Sequence, residues 1–132
     1  MKTVVALAVL GFLATASATA AADLAAGEKS FAKCKICHRI GEGATNMVGP
    51  VLNGVIGRTA GTYEGFKGYG ESLKKLGADG LVWDEAKLKE YVRDPKVFNP
   101  GTKMAFAGLK DDAEIDNVVA YVAQFGADGK KK

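Results

Sequence analysis

Metal-binding side chains are scarce in this chain, which holds one histidine and two cysteines in 132 residues. A structural zinc site takes four nitrogen or sulfur ligands, usually as two separated pairs, so this inventory excludes one. Alternating strands and helices are also wanting around Cys34 and Cys37, which removes the thioredoxin-like reading of a Cys-x-x-Cys pair. No internal repeat and no convincing strand can be found. Charge of one sign is equally lacking: 18 Lys plus Arg against 15 Asp plus Glu leave a formal +3, no argument for a nucleic-acid partner. The longest strongly apolar run, Val4 to Leu13, is about half of the roughly 20 residues that a membrane-spanning helix needs.

That short run has another use. It follows Met1-Lys2 and precedes small residues from Ala14 to Ala22, the pattern of a cleaved secretory signal peptide. Residues 1–22 are expected to be removed, with cleavage after Ala22, or after Ala20 by the Ala18-Thr19-Ala20 site. The remainder, 23–132, suits a single domain, exported, soluble and periplasmic. Without Lys2 its formal net charge is +2, from 17 Lys plus Arg against 15 Asp plus Glu, so the distribution of charge matters more than its sum.

The two cysteines and the histidine lie together in Cys34-Lys35-Ile36-Cys37-His38. Two thiols three positions apart, followed at once by an imidazole, are the pattern of covalent c-type haem attachment. Each sulfur adds across one vinyl group, and one helical turn separates the sulfurs by about the required span. The histidine is then placed to bind iron through a neutral nitrogen. A disulfide across the two-residue gap would leave His38 without a purpose.

The rest of the chain is read in order. Asp23 to Cys34 is expected to be a helix capped by Asp23, with Leu24, Gly27 and Phe31 on one face; Gly27 suggests a close helix crossing. Residues 41–70 are rich in glycine and poor in apolar periodicity. A segment of that kind is improbable in a compact domain unless it wraps something, and a haem is such an object. Within it a carbonyl at Gly49-Pro50 is placed to accept the second ring N–H of His38, unless Pro50 only makes a turn. Arg58 and Tyr69 are candidates for the haem propionates. Glu71 to Gly77 suits a short helix ended by glycine, and Asp84 caps a helix through Arg93 that Asp94-Pro95 stops. Trp83 is either core or a propionate partner. Asp111 to Gly126 reads as the last helix, followed by a frayed, solvated Lys130-Lys131-Lys132.

Once Met1 is lost, only Met47 and Met104 can offer a thioether to iron. Met47 is nine residues past His38 and has little chain with which to reach the opposite face of the ring; Met104 has ample reach. A lone methionine is ordinarily core filler, but the loop setting around Met104 and the lack of other soft donors favour it as a ligand.

Particular runs carry a resemblance beyond the haem motif: Gly49-Pro50-Val51-Leu52, Gly57-Arg58-Thr59-Ala60-Gly61, Phe66-Lys67-Gly68-Tyr69, Glu90-Tyr91-Val92-Arg93-Asp94-Pro95 and Pro100-Gly101-Thr102-Lys103-Met104. In this order they make the chain similar to the class I c-type cytochromes, in particular the soluble bacterial cytochrome c-two group, kin to mitochondrial cytochrome c. The resemblance implies an all-α class I cytochrome c fold, three to five helices wrapped around one covalently attached haem. It implies iron bound by His38 and Met104, the Pro50 carbonyl on the His38 ring proton, and Arg58, Tyr69 and Trp83 on the propionates with Thr102 nearby. Tyr91 would touch the Met104 side, and Gly27 and Phe31 would meet the last helix near Tyr121. It further implies a monomeric one-electron carrier rather than an enzyme, taking electrons from a cytochrome bc complex and passing them to a photosynthetic reaction centre or a terminal oxidase. Lys33, Lys35, Lys96, Lys103 and Lys110 would gather round the haem edge for transient docking, with Asp79, Asp84, Glu85 and Glu90 elsewhere.

Overall fold

The computed structural model describes residues 11, 13–15 and 20–132; the expected leader, 1–22, lies largely outside the described residues. Five helices follow: α1 (Leu24–Phe31), α2 (Glu71–Ala78), α3 (Glu85–Arg93), α4 (Pro95–Phe98) and α5 (Asp112–Ala123). Among the described residues there is no strand, only isolated bridges at Thr59–Val82 and Phe125–Lys131.

Four helix starts are capped by an aspartate accepting a backbone N–H, which satisfies a donor that the first turn leaves free. Asp23 takes Ala26, Asp84 takes Lys87, Asp94 takes Val97 and Asp111 takes Glu114. Only Gly70, ahead of α2, offers no side chain for this purpose.

The core forms where α1 crosses α5 and α3 packs on α5. A Cβ on Gly27 would lie 2.1 Å from the Asn117 carbonyl oxygen, so only glycine permits this approach. Phe31, one turn on, is fully buried against Tyr121 at a centroid distance of 5.6 Å. Ile115, Val118, Val119 and Val122 fill the same layer, each worth about 1.5–3 kcal/mol when fully removed from water. A second aromatic group, Trp83, Tyr91 and Phe98, joins α3 to α4 with centroids 5.2 to 5.8 Å apart.

Several expectations need correction. The first helix ends at Phe31 rather than Cys34, and residues 32–37 continue as turns. Gly77 does not end α2, which runs to Ala78; a Cβ there would fall 1.8 Å from the Ala60 carbonyl oxygen, so Gly77 serves a close contact, and the turn follows at Gly80 with φ +105°. Asp94-Pro95 stops α3 and at once begins α4, with proline at its first position where no N–H is needed. The last helix ends at Ala123, short of Gly126. The lysine tail is not frayed. Lys132 N donates to the Gln124 carbonyl at 2.9 Å, and the Lys131 ammonium lies over the Tyr121 and Phe125 rings at 5.8 and 5.7 Å.

The α1–α5 crossing yields a stability prediction. Gly27→Ala should destabilise by about 1–3 kcal/mol, the usual cost of overpacking, seen as a lower denaturation midpoint with unchanged m-value; an unchanged midpoint would mean that the crossing is loose.

Candidate haem site

The haem-attachment turn grows directly out of α1. Cys34 N and Lys35 N donate to the Phe31 carbonyl, and Cys37 N and His38 N to the Cys34 carbonyl at 3.1 and 2.9 Å. Both cysteines are free thiols. Burial pushes the Cys34 thiol up to about 11, with Lys33 opposing, so it is protonated at neutral pH.

His38 is fixed from the other side. Its Nδ1 donates to the Pro50 carbonyl at 2.8 Å, and a carbonyl can only accept, so Nε2 retains its lone pair. Burial lowers the imidazole pKa below its ordinary value; the Pro50 bond opposes this and the Arg58 charge adds to it. The ring is therefore neutral at pH 7, as metal ligation requires. Gly49 makes room: a Cβ there would come within 2.3 Å of His38 Cε1. Backbone bonds from Gly49 N to the Cys37 carbonyl and from Leu52 N to that of Arg39 clamp the 49–52 segment on the motif.

These groups open onto a cavity of about 210 Å³ lined by Cys37, His38, Pro50 and Met104 among mostly apolar side chains. A smaller apolar cavity of about 50 Å³ adjoins it through the shared walls Leu52, Val55 and Leu88, and Cys34 lines that one. Cys37, His38 and Met104 stand in the walls of the larger cavity and Cys34 in those of its neighbour. A largely apolar cavity with a thiol, a neutral imidazole nitrogen and a thioether in its walls, and a second thiol beside it, fits a haem c: Cys34 and Cys37 would bind the vinyl edge, and His38 and Met104 the iron. Met47 does not line the cavity and is 41 % exposed.

The other expected site residues also reach this cavity. Arg58, Tyr69, Trp83, Tyr91 and Thr102 all line it. Arg58 and Trp83 are brought together by backbone pairing, with Trp83 N donating to the Arg58 carbonyl and Gly57 N to that of Trp83, at 2.9 and 2.7 Å. Arg58 Nη2 is engaged by the protein itself, donating to the carbonyls of Val51 and Asn53 at 3.0 and 2.7 Å, with the guanidinium 4.3 Å from the Tyr63 ring centroid. It therefore braces the segment that carries Pro50. Tyr69 Oη accepts from Tyr63 N at 3.1 Å. Thr102 Oγ1 joins Tyr91 Oη at 2.9 Å and accepts from Met104 N at 3.2 Å, so it ties the methionine loop to α3.

Sequence reasoning missed Ser72 and Asn99, which line the same cavity. Asn99 stands in a Pro- and Gly-containing loop, where an asparagine reads as a turn former; a polar residue between Phe98 and the Met104 loop was the available signal.

The Tyr91–Thr102 bond can be measured. A double-mutant cycle of Tyr91→Phe and Thr102→Val in urea should show a coupling energy of about 1 kcal/mol; additive effects would mean that the two hydroxyls do not pair.

Comparisons with known proteins agree with this geometry. The cytochrome c family matches residues 24–125. The chain is 50 % identical over 119 residues to cytochrome c2 of Blastochloris viridis, covering 90 % of this chain and 91 % of that one. It is 52 % identical over 124 residues to cytochrome c-554 of Methylosinus trichosporium, covering 93 % and 91 %. The solved structure of cytochrome c2 from Rhodospirillum centenum superposes with a TM-score of 0.74 at 41 % identity, over 79 % of this chain and 98 % of that one. The chain belongs to the cytochrome c family, as an electron carrier with one covalently bound haem c rather than an enzyme.

Proposed function

We propose that this protein is a soluble periplasmic carrier that shuttles single electrons between membrane respiratory or photosynthetic complexes, with iron held by His38 and Met104 and thioethers at Cys34 and Cys37. One observation carries the ligand assignment: the only histidine, hydrogen-bonded so that Nε2 is left with its lone pair, and Met104 stand in the walls of the same cavity. On this reading the leader, 1–22, is removed on export and 23–132 is the working domain.

Bound there, the haem supplies a one-electron iron couple. The protein's share is to occupy and shield. Two protein ligands leave no coordination position for a small molecule, and thioether ligation favours the reduced state and raises the potential. The Pro50 bond holds the imidazole and the Tyr91–Thr102–Met104 chain holds the Met104 loop, so both side chains would need to move little as the charge of a bound haem changes. Arg58, Tyr69 and Trp83 would face the propionates.

The donor would be a cytochrome bc complex and the acceptor a photosynthetic reaction centre or a terminal oxidase. Lysines would steer the approach, but not equally. Lys33 is paired with Glu114 at 2.5 Å, and Lys110 donates to the Arg93 carbonyl at 2.8 Å and lies 3.9 Å from Asp94. Lys35, Lys96 and Lys103 have no carboxylate within 4.0 Å among the described residues, so they are the freer docking charges.

Two measurements test this. The ferric protein should show the long-wavelength absorption band of sulfur on iron, and the ferrous protein should bind no carbon monoxide at neutral pH; Met104→Ala should lose the band and gain carbon monoxide binding. A wild type that binds it readily would refute methionine ligation. Electron-transfer rates to an acidic partner should fall as salt rises from about 0.01 to 0.15 M, because the screening length shrinks from about 30 to 8 Å; rates indifferent to salt would exclude lysine docking.

A further inference from the structure

Asn99 has no assigned task, yet its environment demands one. The residue is 2 % exposed, and its Nδ2 finds no hydrogen-bond acceptor among the described residues. Its backbone needs no help from the side chain: Asn99 N donates to the Pro95 carbonyl, and its own carbonyl accepts from Thr102 N, both at 2.9 Å. Burying an amide donor without a partner is costly, and such groups in native proteins generally meet a ligand or water.

The cavity that Asn99 lines is short of negative charge. Arg58 and Lys103 contribute cations to its wall, His38, Tyr69 and Tyr91 are the other titratable side chains there besides Cys37, and no aspartate or glutamate lines it. Ser72 Oγ, in the same wall at the start of α2, is likewise buried without a partner. Ahead of it, Gly70 leaves the first N–H groups of α2 without a side-chain cap. Donors and cations with no carboxylate among them describe a wall awaiting an anion.

We infer that the Asn99 side-chain amide is a hydrogen-bond donor to a haem propionate, a cofactor contact beyond Arg58, Tyr69 and Trp83. This rests on the haem reading above, since the carboxylates of that group are the anions the slot would receive. Asn99 lies on the segment that leads to Thr102 and Met104. One residue thereby links the propionate edge to the loop carrying the sulfur ligand.

The experiment uses the haem-loaded protein and follows its reduction potential against pH. A donor stabilises the ionised carboxylate and lowers its pKa. Asn99→Leu, which keeps the volume and removes the donor, should move the propionate-linked inflection up by about one pH unit and lower the potential above it. It should leave the sulfur-to-iron band in place. An inflection that stays put while the unfolding midpoint drops would make Asn99 a packing residue only and overturn the inference. If the leucine variant does not take up haem, the wild type still decides: its Asn99 side-chain amide resonances should shift with pH at the same midpoint as the potential, and amide signals flat across that range would overturn it. Failure of the wider haem reading looks different, as a wild type without thioether-linked haem.

Discussion

The crossing of α1 over α5 is the contact on which the remaining architecture depends. It is possible only because residue 27 has no side chain where the Asn117 carbonyl passes. Its consequences run along the chain: Phe31 ends α1 buried on Tyr121, and the Phe31 carbonyl receives the N–H groups of Cys34 and Lys35. The attachment turn is thus anchored to the most tightly packed part of the core. A site that must hold the same geometry in two charge states gains from such a base, because close-packed interiors resist deformation.

The long glycine-rich segment after His38 works on a different principle. It buries Val51, Val55 and Ala60, and the rest of its order comes from hydrogen bonds between its own residues and from a close approach to α2. Asn53 exchanges two hydrogen bonds with the Gly41 backbone, at 2.7 and 2.8 Å, and Arg58 holds the carbonyls on either side of Leu52. Gly61, at φ +71°, passes so close to α2 that a Cβ would lie 2.9 Å from Lys74 Cα. What these bonds enclose is an apolar slot with cations in its wall, which a small domain can sustain more readily once a large flat cofactor replaces the missing core.

Local chemistry was legible in the sequence, and long-range contacts chiefly where the family resemblance or a site residue supplied them. The helix from Asp84 to Arg93 could be read in full because its cap, its apolar face and its stop all lie within a dozen residues. The attachment motif and the Met104 loop were legible because each is a short run of uncommon residue types. Gly77 was misread since the Ala60 carbonyl it makes room for is distant in sequence, and a glycine near a helix end ordinarily means a terminus. The single turn of α4 hid behind Pro95, which ends one helix and begins another. The lysine tail is exposed as expected but not frayed, and nothing in its composition announces the aromatic rings beneath Lys131. Asn99 escaped for a related reason: only the folded arrangement reveals that its amide lacks an acceptor.

Asp23 and Lys132, far apart in sequence, are both tied to one helix. The amide of Asp23 donates to the Asn117 side chain at 2.8 Å, and that of Lys132 to the Gln124 carbonyl at 2.9 Å. Those two anchor points are seven positions apart on or just beyond α5, roughly 10 Å along its axis. From Asp23 to Lys132 the backbone is therefore almost a closed ring. A short flexible linker could join Asp23 to Lys132, letting the fold be reopened at a site such as Gly43, where nothing lies within 4 Å of an added Cβ. Such a circular permutant would keep every helix whole.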